Sequence, residues 1–168
     1  MKKVIETERL YLRELIKEDI KELAKILSDP ESMQYYAGPF KQEKVEKWIQ
    51  WNIDNYKKYN HGLWAVILKD GETFLGDCGI TMQAIENERV PEIGFHILKK
   101  YWNQGYATEA AIACRDYAFN VLNYPKLFSY TTLENRSSQK VAEKIGMQPY
   151  KIFEKNGEKQ IAQVIFNK

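Results

Sequence analysis

Apolar or small residues fall at positions 107, 110, 111, 114, 117, 118, 121 and 122. That i, i+3, i+4, i+7 spacing predicts a long helix with one stripe turned to a core. The same period places Ile20, Leu23, Ala24 and Leu27 on a shorter helix, which Ser28-Asp29-Pro30 stops. It also places Val45, Trp48, Ile49, Ile53 and Tyr56 on a helix from about Gln42 to Tyr59, with Asn60-His61-Gly62 at its end. Val141, Ala142 and Ile145 mark a fourth helix, with Asn135 as its N-cap and Gly146 at the αL position after it.

Between these helices the pattern changes to strands. Arg9 to Glu14 alternates, with Leu10 and Leu12 on one face. Leu63 to Leu68 is a continuous apolar run, the mark of a strand buried on both faces. Phe74 to Thr81 returns from it across Asp70-Gly71, a hairpin signal. Gly76 and Gly79 lie inside that strand, where they weaken pairing unless the chain bulges or something approaches closely. Ala84 to Arg89 reads as a polar loop. Further strands are predicted at Glu92 to Leu98, Leu127 to Thr132, Gln148 to Phe153 and Lys159 to Phe166, the last two joined by Asn156-Gly157. The predicted order is β-α-α-β-β-β-α-β-α-β-β, an α+β arrangement with a mixed sheet of about seven strands and about four helices.

The 168 residues suit one domain spanning 1–168. A formal net charge of only +2 is too balanced for a nucleic-acid footprint, so no nucleic-acid partner is expected. No apolar run approaches ~18 residues, and the start carries no apolar leader, so no membrane is expected and a cytoplasmic location is the default. Cys78 and Cys114 fall in buried elements and read as small core residues. No zinc-type spacing occurs, and no metal is expected.

The chemistry concentrates where the strand at 92–98 meets the long helix, through Tyr101-Trp102-Asn103-Gln104-Gly105-Tyr106-Ala107-Thr108-Glu109-Ala110. Gly105 lets the backbone bend and lets a ligand approach without meeting a Cβ. The first helical N–H groups are unpaired and carry the positive end of the macrodipole, a setting for a phosphate. The turn is no P-loop, because no Gly-Lys-[Ser/Thr] follows, and one glycine falls short of the dinucleotide fingerprint.

Trp102 to Ala110 resembles the pyrophosphate loop of the GNAT superfamily of acyl-CoA-dependent N-acyltransferases, in particular the branch of ribosomal-protein N-terminal (alanine) acetyltransferases. Three further stretches resemble that family in its order: Glu6 to Arg13, Leu75 to Ile80, and Asn135 to Met147. The resemblance implies a GNAT-type fold whose sheet is mostly antiparallel, with a central parallel pair splayed apart to admit acetyl-CoA. It implies that the backbones of Phe95 and Ile97 pair with the cofactor's amide arm. Trp102, Asn103, Gln104, Gly105, Tyr106, Ala107 and Thr108 would surround the diphosphate. Asn135 and Ser138 match the motif positions that contact the cofactor on the next helix.

A tyrosine later in that helix is the proposed acid of many GNAT enzymes. Ala142 stands there, so Ser138 becomes the candidate partner of the departing thiolate. Glu92 is the candidate base or amine binder. His96, about 13 Å along the strand from it, cannot form a direct dyad with it and reads more readily as a satisfied imidazole. His61 reads as a cap or surface residue. Tyr35 and Tyr36 are candidates for the acceptor pocket, whose walls by analogy are the 31–40 loop, the second helix and the 82–90 loop. Trp48 and Trp51 would extend those walls or pack in the core. Glu31, Glu86 and Glu88 either attract a cationic amine or are solvated charges.

The expected activity is transfer of an acetyl group from acetyl-CoA to a primary amine by direct attack, the acceptor being a protein N-terminus or a small molecule. A monomer or homodimer would serve. The competing readings are a non-catalytic acyl-CoA sensor or assembly module, prompted by Ala142, and a nucleotide-phosphate enzyme using the same turn.

Overall fold

The computed structural model describes residues 2–168 and builds one eight-stranded sheet with four helices on its faces. The strands are β1 (Lys3–Glu6), β2 (Leu10–Arg13), β3 (Leu63–Leu68), β4 (Thr73–Ile85), β5 (Glu88–Ile97), β6 (Lys126–Thr132), β7 (Gln148–Lys155) and β8 (Glu158–Phe166). The helices are α1 (Ile20–Leu27), α2 (Gln42–Tyr59), α3 (Tyr106–Asn120) and α4 (Arg136–Lys144). The sheet order is β1-β2-β3-β4-β5-β6-β8-β7, antiparallel throughout except for the parallel pair β5-β6.

The unbroken apolar run of β3 follows from its place in the middle of two layers. Trp64 and Val66 join one core with Leu10, Leu12, Cys78 and Ile80, packed on Ala110, Ala111, Cys114 and Ala118 of α3. Ala65 and Ile67 point the other way, into a second core with Leu23 and Leu27 of α1 and Val45 and Ile49 of α2. The small residues of the α3 stripe let that helix lie close on the sheet. Val121 departs from the predicted stripe: α3 ends at Asn120, and Val121 is left exposed past the last turn. Cys78 and Cys114 are buried core thiols with sulfurs 3.6 Å apart.

Two features differ from the predicted elements. A strand precedes the first one that periodicity revealed: β1 pairs with β2 along the sheet's edge. The 84–89 segment is not a loop. β4 and β5 stay in register from Gly76↔Ile97 to Ile85↔Glu88, so only Glu86 and Asn87 turn the corner. Glu86 takes a positive φ of 55° there, as a two-residue hairpin demands.

Gly76 answers the question its position posed. A Cβ there would stand 1.8 Å from the carbonyl oxygen of His96. β4 and β5 therefore approach closely at this point, and the β3–β4 register shifts beside it, between Val66 and Ile67.

Candidate functional site

The parallel pair in mid-sheet barely pairs. Its register contains one matched position, Glu92↔Phe128. Two residues further along β6, the Tyr130 N–H donates instead to the Glu92 carboxylate, at 3.3 Å. Beyond it the strands part. In β5 the even-numbered residues turn their backbone polar groups to β4. The His96 carbonyl faces Gly76 and the Leu98 N–H donates to the Leu75 carbonyl, at 2.7 Å. Alternation then turns the N–H and C=O groups of Phe95 and Ile97 to the open side. Their side chains pack against the α3 core. Trp102 lies over that edge, its indole N–H donating to the Ile97 carbonyl at 2.6 Å.

The chain then turns into α3. Asn103 and Gly105 both take positive φ, 62° and 84°, and Gly105 is the N-cap. The first bond inside the helix runs from the Glu109 N–H to the Gly105 carbonyl, at 3.0 Å. The amides of Tyr106, Ala107 and Thr108 consequently have no partner within the helix. Gln104 donates its side-chain amide to the Lys100 carbonyl.

Arg9, which the sequence reading did not single out, sits on this turn. Its guanidinium stacks 4.3 Å from the Tyr106 ring centre, donates to the Gln104 carbonyl at 3.1 Å and pairs with Glu109 at 2.7 Å. The other Glu109 oxygen accepts the Thr7 hydroxyl at 2.6 Å and the Arg9 N–H at 2.9 Å. Burial would raise the Glu109 carboxyl's pKa, but these donors outweigh it and hold the pKa below its ordinary value. Two motif words far apart in sequence, Thr7-Glu8-Arg9 and Gly105 to Ala110, are thus one physical unit. Glu109→Ala is expected to lower stability at neutral pH by about 2 kcal/mol: a buried hydrogen bond to a charged group contributes roughly 1.5–3 kcal/mol, but Arg9 is partly exposed and its share is screened by solvent. Because the folded pKa is depressed, this contribution is present above the unfolded carboxylate range and fades as pH falls through the folded value. Urea titrations at pH 7 and pH 3 check it: the wild-type advantage should shrink at the lower pH.

On the opposite face, a cleft of about 390 Å³ opens over β5. Glu92, Gly94 and His96 alternate onto it, and Gly94 leaves the space between the two titratable groups clear. Burial raises the Glu92 carboxyl to about 8, against the Tyr130 N–H, which lowers it. Tyr35, Tyr36, Trp48 and Trp51 line the cleft, as do Tyr130 of β6 and Ser138 of α4. Of the 82–90 segment only Gln83 reaches it; the far wall is Lys155, Asn156, Glu158 and Gln160 of the β7–β8 hairpin. Glu31, Glu86 and Glu88 are solvent-side charges paired with Lys99, Lys151 and Lys126.

Asn135 caps α4 by accepting the Ser138 N–H at 3.3 Å, and this orients the first turn that carries Ser138. Ala142 is buried in the core. His96 is satisfied on both nitrogens: Nδ1 lies 2.7 Å from Asp77 and Nε2 2.7 Å from the Tyr36 hydroxyl. Asp77 is wholly buried and also accepts the Trp48 indole N–H at 3.1 Å. Its signal in the sequence is a lone charge in the apolar β4. His61 corrects its expectation. It is fully buried, bonded to the Ile80 carbonyl and the Tyr124 hydroxyl at 2.7 Å each, and burial lowers its pKa.

Residues 9–148 match a family model described as an acetyltransferase (GNAT) domain. The chain is 42% identical over 142 residues to an uncharacterized Bacillus subtilis protein, YkkB, a match covering 84% of this chain and 83% of that one. An acetyltransferase from Agrobacterium tumefaciens superimposes with a TM-score of 0.85 at 28% identity, over 98% of this chain and 94% of its own. The ribosomal L7/L12 alpha-N-protein acetyltransferase RimL, solved in complex with coenzyme A, superimposes at 0.78 over 98% of both chains. Its 17% identity speaks of fold alone.

Proposed function

The chain belongs to the GNAT acetyltransferase family, and from that premise we propose that it transfers an acetyl group from acetyl-CoA to a primary amine by direct attack in a ternary complex. The observation that carries this reading is the parting of β5 and β6 after a single matched pair. It leaves a slot that ends at unpartnered helix amides.

The residues present suit acetyl-CoA. The open edge offers the Phe95 N–H and C=O and the Ile97 N–H to an amide-bearing arm, while the Ile97 carbonyl already accepts the Trp102 indole N–H. The amides from Gln104 to Thr108, with Arg9 beside them, suit a diphosphate. Trp102 and Asn103 shape that turn, and Asn135 holds the first turn of α4 toward the slot. The bound thioester supplies an activated acetyl carbonyl.

Glu92 takes a proton from the incoming amine. Its raised pKa lies close to that of an α-amine, about 8, so the proton passes without a large uphill step. Ser138 donates its hydroxyl to the departing thiolate. Ser138→Ala is expected to lower kcat about tenfold with KM for acetyl-CoA nearly unchanged, because a bond made mainly in the transition state affects kcat. An unchanged kcat removes Ser138 from the reaction. Tyr35 and Tyr36 contact the acceptor, a protein N-terminus or a small amine.

The test is thiol release from acetyl-CoA across a panel of peptides and small amines. Release that depends on one class of amine supports the reading. Tight CoA binding with no release under any amine would favour the acyl-CoA sensor, the reading prompted by Ala142 standing in place of a tyrosine acid.

A further inference from the structure

The cleft holds a hydrogen-bonded chain that acetyl transfer by Glu92 and Ser138 leaves unused. We infer that Tyr36, His96 and Asp77 form a proton relay that draws a proton from the acceptor nitrogen, alongside Glu92. The inference rests on the acetyltransferase reading of the same site.

The direction of the relay follows from its buried end. Asp77 has no exposed surface and lies 2.7 Å from His96 Nδ1, and its second oxygen receives the Trp48 indole N–H at 3.1 Å. The Trp48 indole N–H can only donate, so the Asp77 oxygen facing it accepts, and the carboxylate's other oxygen is placed to accept from His96 in the same way. The proton of His96 therefore sits on Nδ1, and Nε2 presents a lone pair. The Tyr36 hydroxyl, 2.7 Å away, donates to it. The phenol oxygen keeps its own lone pairs for the cleft that Glu92 also lines. The 31–40 segment, distant in sequence, meets the β4–β5 hairpin to make this chain. The arrangement follows the logic of a hydroxyl activated by an oriented imidazole. A phenol in the hydroxyl position makes it a carrier of protons.

The stoichiometry of the reaction supplies the need. An acceptor arriving as an ammonium has three N–H bonds, and the amide product has one. Two protons must leave the nitrogen while the C–N bond forms and the C–S bond breaks, its electron pair going to sulfur. One proton ends on that sulfur and the other in solvent. Glu92 accommodates one of the two in transit. For the second, the nitrogen's proton passes to the Tyr36 oxygen as the Tyr36 proton passes to His96 Nε2. The imidazolium so formed is paired with Asp77 and returns its proton to solvent by the same path.

Two independent readouts test this. In full-length protein with 15N-labelled histidine, the imidazole shifts should report the Nδ1–H tautomer for His96, assigned by comparison with His96→Ala. Asp77→Asn should disturb that tautomer. An Nε2–H tautomer in the wild type overturns the relay, and this result needs no acceptor. In kinetics with the best acceptor from the thiol-release panel, Tyr36→Phe and His96→Ala should each lower kcat at least tenfold, with KM for acetyl-CoA within twofold. Members of one relay are not additive, so the double variant should lose little more. Added imidazole should return part of the rate to His96→Ala. Full kcat in Tyr36→Phe, or losses that multiply in the double variant, overturns the relay while the acetyltransferase reading stands. Absence of thiol release from the wild type defeats that reading instead, and the tautomer still decides the geometry.

Discussion

Gly105→Val is expected to weaken CoA binding by more than 100-fold while α3 stays folded. The backbone at Gly105 has φ of 84°, a region that a β-branched residue occupies only under strain. A Cβ there would also come within 3.3 Å of the Arg9 guanidinium, which is fixed by its bonds to Gln104 and Glu109. The turn must therefore move, and the amides of Tyr106, Ala107 and Thr108 move with it. Each such donor contributes roughly 1.5–3 kcal/mol toward a charged group. Losing two of them costs about 3–6 kcal/mol, and each 1.4 kcal/mol is a factor of about ten in Kd. Gly105→Asn should lose much less, because asparagine visits αL more readily. Calorimetric titration with CoA checks both variants. Wild-type affinity in Gly105→Val refutes the placement of the diphosphate.

Glu92→Gln is expected to lower kcat about 100-fold or more, the lower end of what general-base catalysis contributes. At saturating amine, wild-type kcat should rise with pH through about 8, where burial places the Glu92 carboxyl. The variant should lose that limb. The same ionisation affects stability in a direction that can be worked out. A carboxyl whose folded pKa is raised stays protonated in the folded state while the unfolded chain already ionises. Its favourable contribution is complete below the unfolded value of 4.5 and is lost as pH rises through about 8. Relative to wild type, Glu92→Gln should therefore gain thermal stability between pH 5 and pH 9. A variant that keeps the kcat limb near pH 8 assigns the base to another group.

Much of the scaffold was legible because its causes are local. The helix Gln42–Tyr59 came out at its predicted limits because its stripe and the Asn60 αL cap both mark it. β3 read as doubly buried because nothing polar interrupts it. The Asn156-Gly157 hairpin and the turn at Asn103 and Gly105 each rest on an asparagine and a glycine with positive φ, residues that the sequence shows directly. The sequence hid what depends on distant partners. β1 is stabilised by an edge pairing that four residues cannot announce. The β4–β5 turn uses Glu86 and Asn87 with no glycine to flag it.

The side-chain networks were hidden for the same reason. His61 follows a helix end, which suggests solvent, yet its partners Ile80 and Tyr124 arrive from β4 and the segment after α3 to bury it. Arg9 looked like one charge in an alternating strand; its stacking on Tyr106 and its pairing with Glu109 span about a hundred residues of chain. Glu92 and His96 lie four residues apart on β5, and the bridge from His96 to Tyr36 and Asp77 needed three elements at once. Val121 was placed on the stripe by period alone, because the last turn of α3 carries no stop signal before it.

The measurement that bears most directly on the central claim is a crystal structure of the protein grown with CoA. It should place the diphosphate on the amides that open α3, with Arg9 alongside, and the amide arm against Phe95 and Ile97 in the widening space between β5 and β6. Coenzyme bound elsewhere, or β5 and β6 hydrogen-bonded along their whole length with that space closed, would contradict the account.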